Sequence, residues 1–338
     1  MKAFSAGRHR QRGVALIIAL ILVALATVLA TKLSFEGFLE LRRTTGMMAA
    51  EQALHFGLGA EALAADVLMQ DAQTNAQYTT LAGPWAQVTP PFPITPDNNP
   101  DGEPIGAMQG TLEDMQGRFN LNTLARIGPD GVTEDPLPLQ QFQRLLISVG
   151  VEPKWAGLAR DWLDQDDVVG NPDGAEDAVY TSQTPPYRAG NWPMMSPSEL
   201  MNMPGFGADR YRKIAPYVTA LPGNDIKINI CTAPAVVLES LVKGINGDYS
   251  GNPDLLVSER KKGCFPDLPT FGNIVRNADA KDAANIALHY SDKSIFFRLT
   301  TRVTLGTTEF TLYSLLKAGG GGAGGGKVTP LLRTFGTP

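Results

Sequence analysis

The stretch Val14–Thr31, VALIIALILVALATVLAT, runs for eighteen residues without a charge. At about 1.5 Å of rise per residue, that is the lower limit for a helix crossing a bilayer core of roughly 30 Å. The residues before it, MKAFSAGRHRQRG, carry Lys2, Arg8, Arg10 and Arg12 and no acid. A basic flank of this kind stays on the cytoplasmic side, so the chain beyond Thr31 is expected to be exported. A discarded secretory signal has its small-residue cut site after the apolar core, whereas Gly13 stands before it.

Bulk composition narrows the function classes. The chain has 338 residues, 43% of them hydrophobic, enough to build two domains around a sizeable core. Its formal charge is −5, and loss of the four basic residues ahead of Val14 takes it to −9. An acidic protein does not suit a nucleic-acid partner held by phosphate contacts. Cys231 and Cys264 both fall on the exported side. In an oxidising compartment such a pair reads as one disulfide, and in the cytosol as two free thiols.

From Lys32 to Asp71 there is no proline, and Met47, Ala50, Leu54, Leu58, Ala62, Ala65 and Leu68 recur three and four apart. This is the stripe of an amphipathic helix, and continuous with the apolar stretch it would extend roughly 87 Å. Gly37, Gly46, Gly57 and Gly59 are expected to make it irregular, and His55 reads as a surface helix residue. After a Pro- and Asn-rich loop between Pro84 and Pro104, Ile105–Leu112 and Gly117–Leu121 read as a hairpin turning at Glu113-Asp114. Short helices then dominate from Pro136 to Pro222: Leu137–Val149, Trp155–Leu163, Ser196–Met203 and Asp209–Val218. Strand character returns at Ile226–Ile230, with a helix over Ala233–Val242. The clearest hairpin joins Ile295–Thr304 to Thr308–Leu316 through Leu305-Gly306-Thr307. The tail, AGGGGAGGGKVTPLLRTFGTP, is expected to be a flexible spacer.

Chemistry concentrates in Asp161–Asp177, DWLDQDDVVGNPDGAED. Asp161, Asp164, Asp166, Asp167, Asp173, Glu176 and Asp177 repel one another unless they are solvated or share a cation. Gly170, Pro172 and Gly174 supply the turns that would gather them. An oxygen-only donor set favours a hard ion, Ca²⁺ above all, over zinc, although the spacing is not that of an EF-hand. Carboxylate pairs also serve glycosidases, but no nucleophile motif accompanies these, and neither an enzyme nor a small-molecule substrate is expected. A second motif, LMNMPGFGADRYRKI (200–214), resembles a helix-hairpin-helix turn. With Arg210, Arg212 and Lys213 after it, such a turn either holds a DNA phosphate or simply joins two packed helices. The acidic loop nearby opposes the first use.

A basic leader ending in Arg12-Gly13 and followed at once by the apolar helix resembles the prepilin leader of type IV pilins and type II secretion pseudopilins. The resemblance implies that a prepilin peptidase cuts between Gly13 and Val14 and that the new N-terminus is methylated. Most members carry Glu at the fifth mature position. Ile18 stands there in this chain, a habit of the minor pseudopilin K (GspK) family, whose mature start also reads much like VALI. GRFNLNTL (117–124), DWLDQDD (161–167), GAED (174–177), PPYRAGNWP (185–193), SPSEL (196–200) and INICTAPAVVLESL (228–241) resemble that family's motifs in the same order.

The implied architecture is α+β: a pilin-like fold whose long N-terminal helix packs on an antiparallel β-sheet, interrupted by a large all-helical insertion of helix-hairpin-helix type. Its parts would be a leader (1–13), a transmembrane segment (14–31), pilin-like halves (32–135 and 223–317), the insertion (136–222) and the tail (318–338). The family's calcium would fall on Asp164, Asp166, Asp167, Asp173, Glu176 and Asp177, with Asp161 a cap or outer support. The implied role is to initiate and cap the periplasmic pseudopilus tip during export of folded proteins. The setting is the Gram-negative inner membrane, crossed once with the head in the periplasm. Partners would be I- and J-like minor pseudopilins, the major pseudopilin and the peptidase. The competing expectation is a membrane-anchored DNA-binding protein of a competence pilus.

Overall fold

The structure, a computed structural model, describes residues 12–75, 77–96, 102–128, 134–170, 173–242, 263–264, 267–319 and 326–335. All but the last two residues of the expected leader lie outside it. Helix α1 runs unbroken over Arg12–Thr74, 63 residues or about 95 Å. Gly37, Gly46, Gly57 and Gly59 do not interrupt it. The Val14–Thr31 portion is fully exposed to the surroundings, with mean hydropathy 2.9 in its most apolar window, long and apolar enough to cross a membrane.

The buried face of α1 is not the one expected from its large apolar residues. Ala53, Gly57, Ala60, Glu61, Ala64, Leu68 and Asp71 are buried, while Leu54 and Leu58 flank that face and Met47 and Ala62 are exposed. Small residues win the contact because they let the helix axis approach the sheet. At Gly57 an added Cβ would press within 3.3 Å of the Leu312 side chain.

The sheet is antiparallel, in the order β1 (Phe92–Ile94), β2 (Gly106–Asp114), β7 (Phe296–Leu305), β8 (Thr308–Ala318) and β9 (Val328–Phe335). Along β7, Phe297, Leu299, Thr301 and Val303 alternate inward onto α1, where Ala64, Leu68, Trp85 and Leu316 meet them. The β7–β8 connection turns at Gly306 with φ of 55°, as its sequence predicts. Two expectations fail here. Gly117–Leu121 is no hairpin partner of β2: β2 pairs with β7, and the short β3 (Phe119–Asn120) pairs in parallel with β4 (Val218–Thr219). The tail is not merely a spacer, because its last part forms β9 against β8.

Between the paired strands β2 and β7 the chain leaves the sheet for some 180 residues. This excursion holds α2 (Pro136–Ser148), α3 (Trp155–Asp161), α4 (Asp177–Thr181), α5 (Gly207–Ile214), β5 (Ile228–Asn229), α6 (Ala235–Leu241), α7 (Leu268–Ala278), α8 (Ala283–Ile286) and β6 (Tyr290–Ser291). One hydrophobic core runs through it from Phe119 to Tyr290, so Ile230, Val237, Leu238 and Phe271 pack with Phe142, Leu145 and Trp155. The Cys231–Cys264 disulfide forms and ties the approach to α6 to the start of α7.

The neck of the excursion is a buried polar knot. Asp114, at the end of β2, accepts from Ser294 Oγ (2.6 Å), Thr232 Oγ1 (2.6 Å), Asn229 Nδ2 (3.0 Å) and the Gln116 N–H (2.8 Å). Burial pushes this carboxyl's pKa up, and the four donors counter that shift only in part. The paired asparagines of GRFNLN act similarly: Asn120 and Asn122 bind the backbone of Leu221 and Met194 across the module.

Candidate metal centre

Helix α3 ends on Asp161, and the loop that follows returns to the same place at Glu176, just before α4. Asp161 and Glu176 are buried and Asp164 is partly so, and each brings one carboxylate oxygen to within 4.8 Å of the other two. Calcium–oxygen distances are about 2.3–2.6 Å, so oxygens this close can share one ion.

The glycines of the loop make the gathering possible. Gly170 donates its N–H to Asp161 Oδ2 at 2.8 Å, and Gly174 closes a turn onto the Gly170 carbonyl at 2.9 Å. A Cβ at either glycine would overlap the Asp161 carboxylate. Behind the loop, Tyr180 stacks edge-on against Trp162 at 5.2 Å between centroids and packs on Tyr187. The aromatic wall keeps water from that side.

Charge compensation is incomplete. Arg160 lies 3.4 Å from Asp161 and is shared with Glu134 at 3.5 Å. Asp164 Oδ1 and both Glu176 oxygens are buried without a hydrogen-bond partner among the described residues. Burial first, then the neighbouring carboxylates, raises both groups to a pKa of about 7. Carboxylates left this way either hold protons or hold a cation. Hard oxygen donors, no thiolate or imidazole, and orphaned buried oxygens fit calcium.

The residues expected at the site divide. Asp164 and Glu176 enter the cluster. Asp166 and Asp167 are exposed and add charge nearby, Asp166 Oδ1 also accepting the Val168 N–H at 2.8 Å. Asp173 is exposed, at φ 68° in the turn. Asp177 faces away, accepting from the Ala189 N–H at 2.9 Å and lying 3.6 Å from Arg188. Asp161, expected only as a cap or outer support, instead stands inside the cluster. Its three-residue spacing to Asp164 across the end of α3 was the signal for it.

The helix-hairpin-helix turn is built as a packing element. Gly205 and Gly207 take φ of 84° and 72°, and Phe206 between them is fully buried edge-on to Trp155. Its cations are engaged within the chain: Arg210 pairs with Glu152 at 2.8 Å, Arg212 with Asp209 at 2.6 Å, and Lys213 donates to the Gly150 carbonyl at 3.3 Å.

A long helix, apolar in its first third and packed on an antiparallel sheet in its last, with a helical module spliced between two paired strands, defines a pilin-like protein. The family model for Type II secretion system (T2SS), protein K matches residues 117–223. A Type II secretion system protein K of Pseudomonas aeruginosa is 32% identical over 324 residues, covering 92% of this chain and 90% of the relative. That of Pectobacterium carotovorum is 31% identical over 324 residues, covering 93% and 94%. The chain belongs to the type II secretion system protein K family, the minor pseudopilins K. Among solved structures, a chain of the GspK-GspI-GspJ complex from the enterotoxigenic Escherichia coli Type 2 Secretion System has a TM-score of 0.74 and 28% identity, covering 88% of this chain and all of the other.

Proposed function

We propose that this chain is held in the inner membrane by the Val14–Thr31 part of α1, with its head in the periplasm, and helps initiate and cap the pseudopilus tip during export of folded proteins. The observation that carries this reading is the module between β2 and β7. It adds bulk to the head on top of a pilin-like body, and so suits a subunit beyond which no further one stacks. The role is assembly rather than catalysis. The relative crystallised with GspI and GspJ supports I- and J-like minor pseudopilins as partners, with the major pseudopilin below.

Maturation supplies the test. Cleavage by a prepilin peptidase between Gly13 and Val14, with methylation of Val14, leaves the apolar helix as the N-terminus. Mass spectrometry of the membrane fraction should find that end, and crosslinking should recover the I- and J-like subunits. An intact leader in cells that contain the peptidase, or crosslinks to neither subunit, would reject the reading.

Calcium belongs to the same proposal as a structural ion. Asp161, Asp164 and Glu176 would hold it, with Asp166 and Asp167 strengthening the local negative field. When bound, the ion neutralises carboxylates that the loop cannot otherwise bury. The chain's own contribution is to fix Asp161 through the Gly170 N–H and to close the loop at Gly174.

A further inference from the structure

Where the helical module meets the sheet, the two do not close against each other. A cavity of about 420 Å³ lies between them. Arg298 of β7, Leu315 of β8 and Leu332 of β9 line it from the sheet, and Tyr211 of α5 and Met195 from the module. Of all the residues in its wall only Arg118 and Arg298 carry a charge. The cavity is therefore basic, in a chain whose formal charge is −5.

Those two guanidiniums share a single acid. Arg118 Nη2 lies 3.3 Å from Glu113 Oε1, and Arg298 Nε donates to Glu113 Oε2 at 3.0 Å. Glu113 can neutralise only one of them, and it stands outside the cavity wall. The other contact of Arg118 is to a neutral group, the Ala215 carbonyl at 3.5 Å. Both cations are drawn out of bulk water, their side chains 19% and 23% exposed. Burial lowers the Arg118 pKa, and Arg298 adds to that shift against the pull of Glu113. Burial raises the Tyr211 phenol while both guanidiniums pull it down, so its hydroxyl lies in their field. Half-compensated, partly desolvated arginines are strong receptors for a planar anion.

We propose that this cavity binds a small amphipathic carboxylate, its head on Arg118 and Arg298 and its apolar body against Met115, Leu315 and Leu332. The volume falls within the range of about 300–1,000 Å³ typical of small-ligand sites, which pair an apolar lining with a few placed polar groups. The sign of the wall rejects cations. An inorganic anion would leave the apolar walls unfilled. Because Arg298 belongs to the sheet and Tyr211 to the module, a ligand seated there ties the two together. This inference rests on neither the tip assignment nor calcium.

The probe is 4-phenylbutyrate, titrated calorimetrically into the full-length chain in maltoside micelles, with its neutral amide and inorganic phosphate as comparisons and empty micelles as the blank. The acid should bind and raise the thermal midpoint, and the amide and phosphate should each bind at least about tenfold more weakly. Arg298→Gln, which leaves Glu113 to Arg118, should weaken the acid at least about tenfold without changing the amide. Leu332→Trp, which fills the cavity from the edge strand, should weaken acid and amide alike. Equal affinity for acid and amide, no binding of the acid, or acid binding indifferent to both substitutions would overturn the proposal. So would binding of the acidic peptide acetyl-Phe-Glu-Phe-amide by a chain that ignores the small acid, since the site would then belong to a protein segment. If Arg298→Gln fails to fold, the acid–amide comparison on the unaltered chain and Leu332→Trp decide.

Discussion

Asp164 and Glu176, twelve residues apart, bring carboxylate oxygens within 4.8 Å of each other at the end of α3, and both titrate near pH 7. The folded chain therefore holds these protons to a higher pH than the unfolded chain, whose carboxylates release them near pH 4. Without metal, stability falls as pH rises from about 4 to about 7. Calcium bound at the site, as proposed, would reverse the cost by replacing the protons. Thermal unfolding should show a midpoint that drops between about pH 5 and pH 7.5 in calcium-free buffer, and a calcium-induced rise at the higher pH only. A midpoint indifferent to calcium at pH 7.5 removes the metal from the site.

Substitution separates the carboxylates inside the cluster from those outside. Asp161→Asn, Asp164→Asn and Glu176→Gln should each weaken calcium roughly tenfold or more, because they remove ligand charge from a small donor set. Asp173→Asn and Asp177→Asn should change it by less than about threefold. Isothermal titration distinguishes this pattern from one in which the whole acidic loop contributes evenly.

Gly174→Ala tests the loop closure. The new methyl group has no room between Asp161 and the Gly170 carbonyl, so overpacking of about 1–3 kcal/mol is expected in denaturant unfolding. Gly59→Ala on α1, where nothing lies within 4 Å, should instead be neutral or slightly stabilising.

The disulfide closes a loop of sequence separation 33, from buried Cys231 to Cys264. Loop-closure entropy gives a stabilisation of about 3–4 kcal/mol. Replacing both cysteines by serine should lower the unfolding free energy by roughly that amount. A loss well under 1 kcal/mol would mean that the unfolded chain is already restrained.

At the hairpin, Arg210→Ala together with Lys213→Ala should leave gel mobility of duplex DNA unchanged at low salt, with neither form binding. A shift by the unaltered chain that the double substitution abolishes would revive the DNA-binding expectation.

Much of this was legible from local chemistry. The apolar Val14–Thr31 run, the continuous helix behind it and the closing hairpin through Gly306 follow from hydropathy, periodicity and a turn that needs positive φ. The short helices of the insertion fall within a few residues of expectation. Elements that depend on distant partners were not legible. VTPLLRTF has a proline and follows a glycine run, both of which argue against a strand. It becomes one because β8 offers an unpaired edge and Glu61 an unpaired charge.

The sequence alone determined the apolar stretch, the long helix, the family and the stretch that holds the acidic cluster, because each rests on residue type at short spacing. Tertiary structure decided which face of α1 meets the sheet, since close approach favours Ala53, Gly57 and Ala64 over the larger leucines. It also decided that Asp161 joins Asp164 and Glu176 while Asp177 turns to Arg188. Carboxylate spacing shows where charge accumulates, but only the folded loop shows which oxygens are removed from water together, and desolvation is what leaves them to hold either protons or a cation.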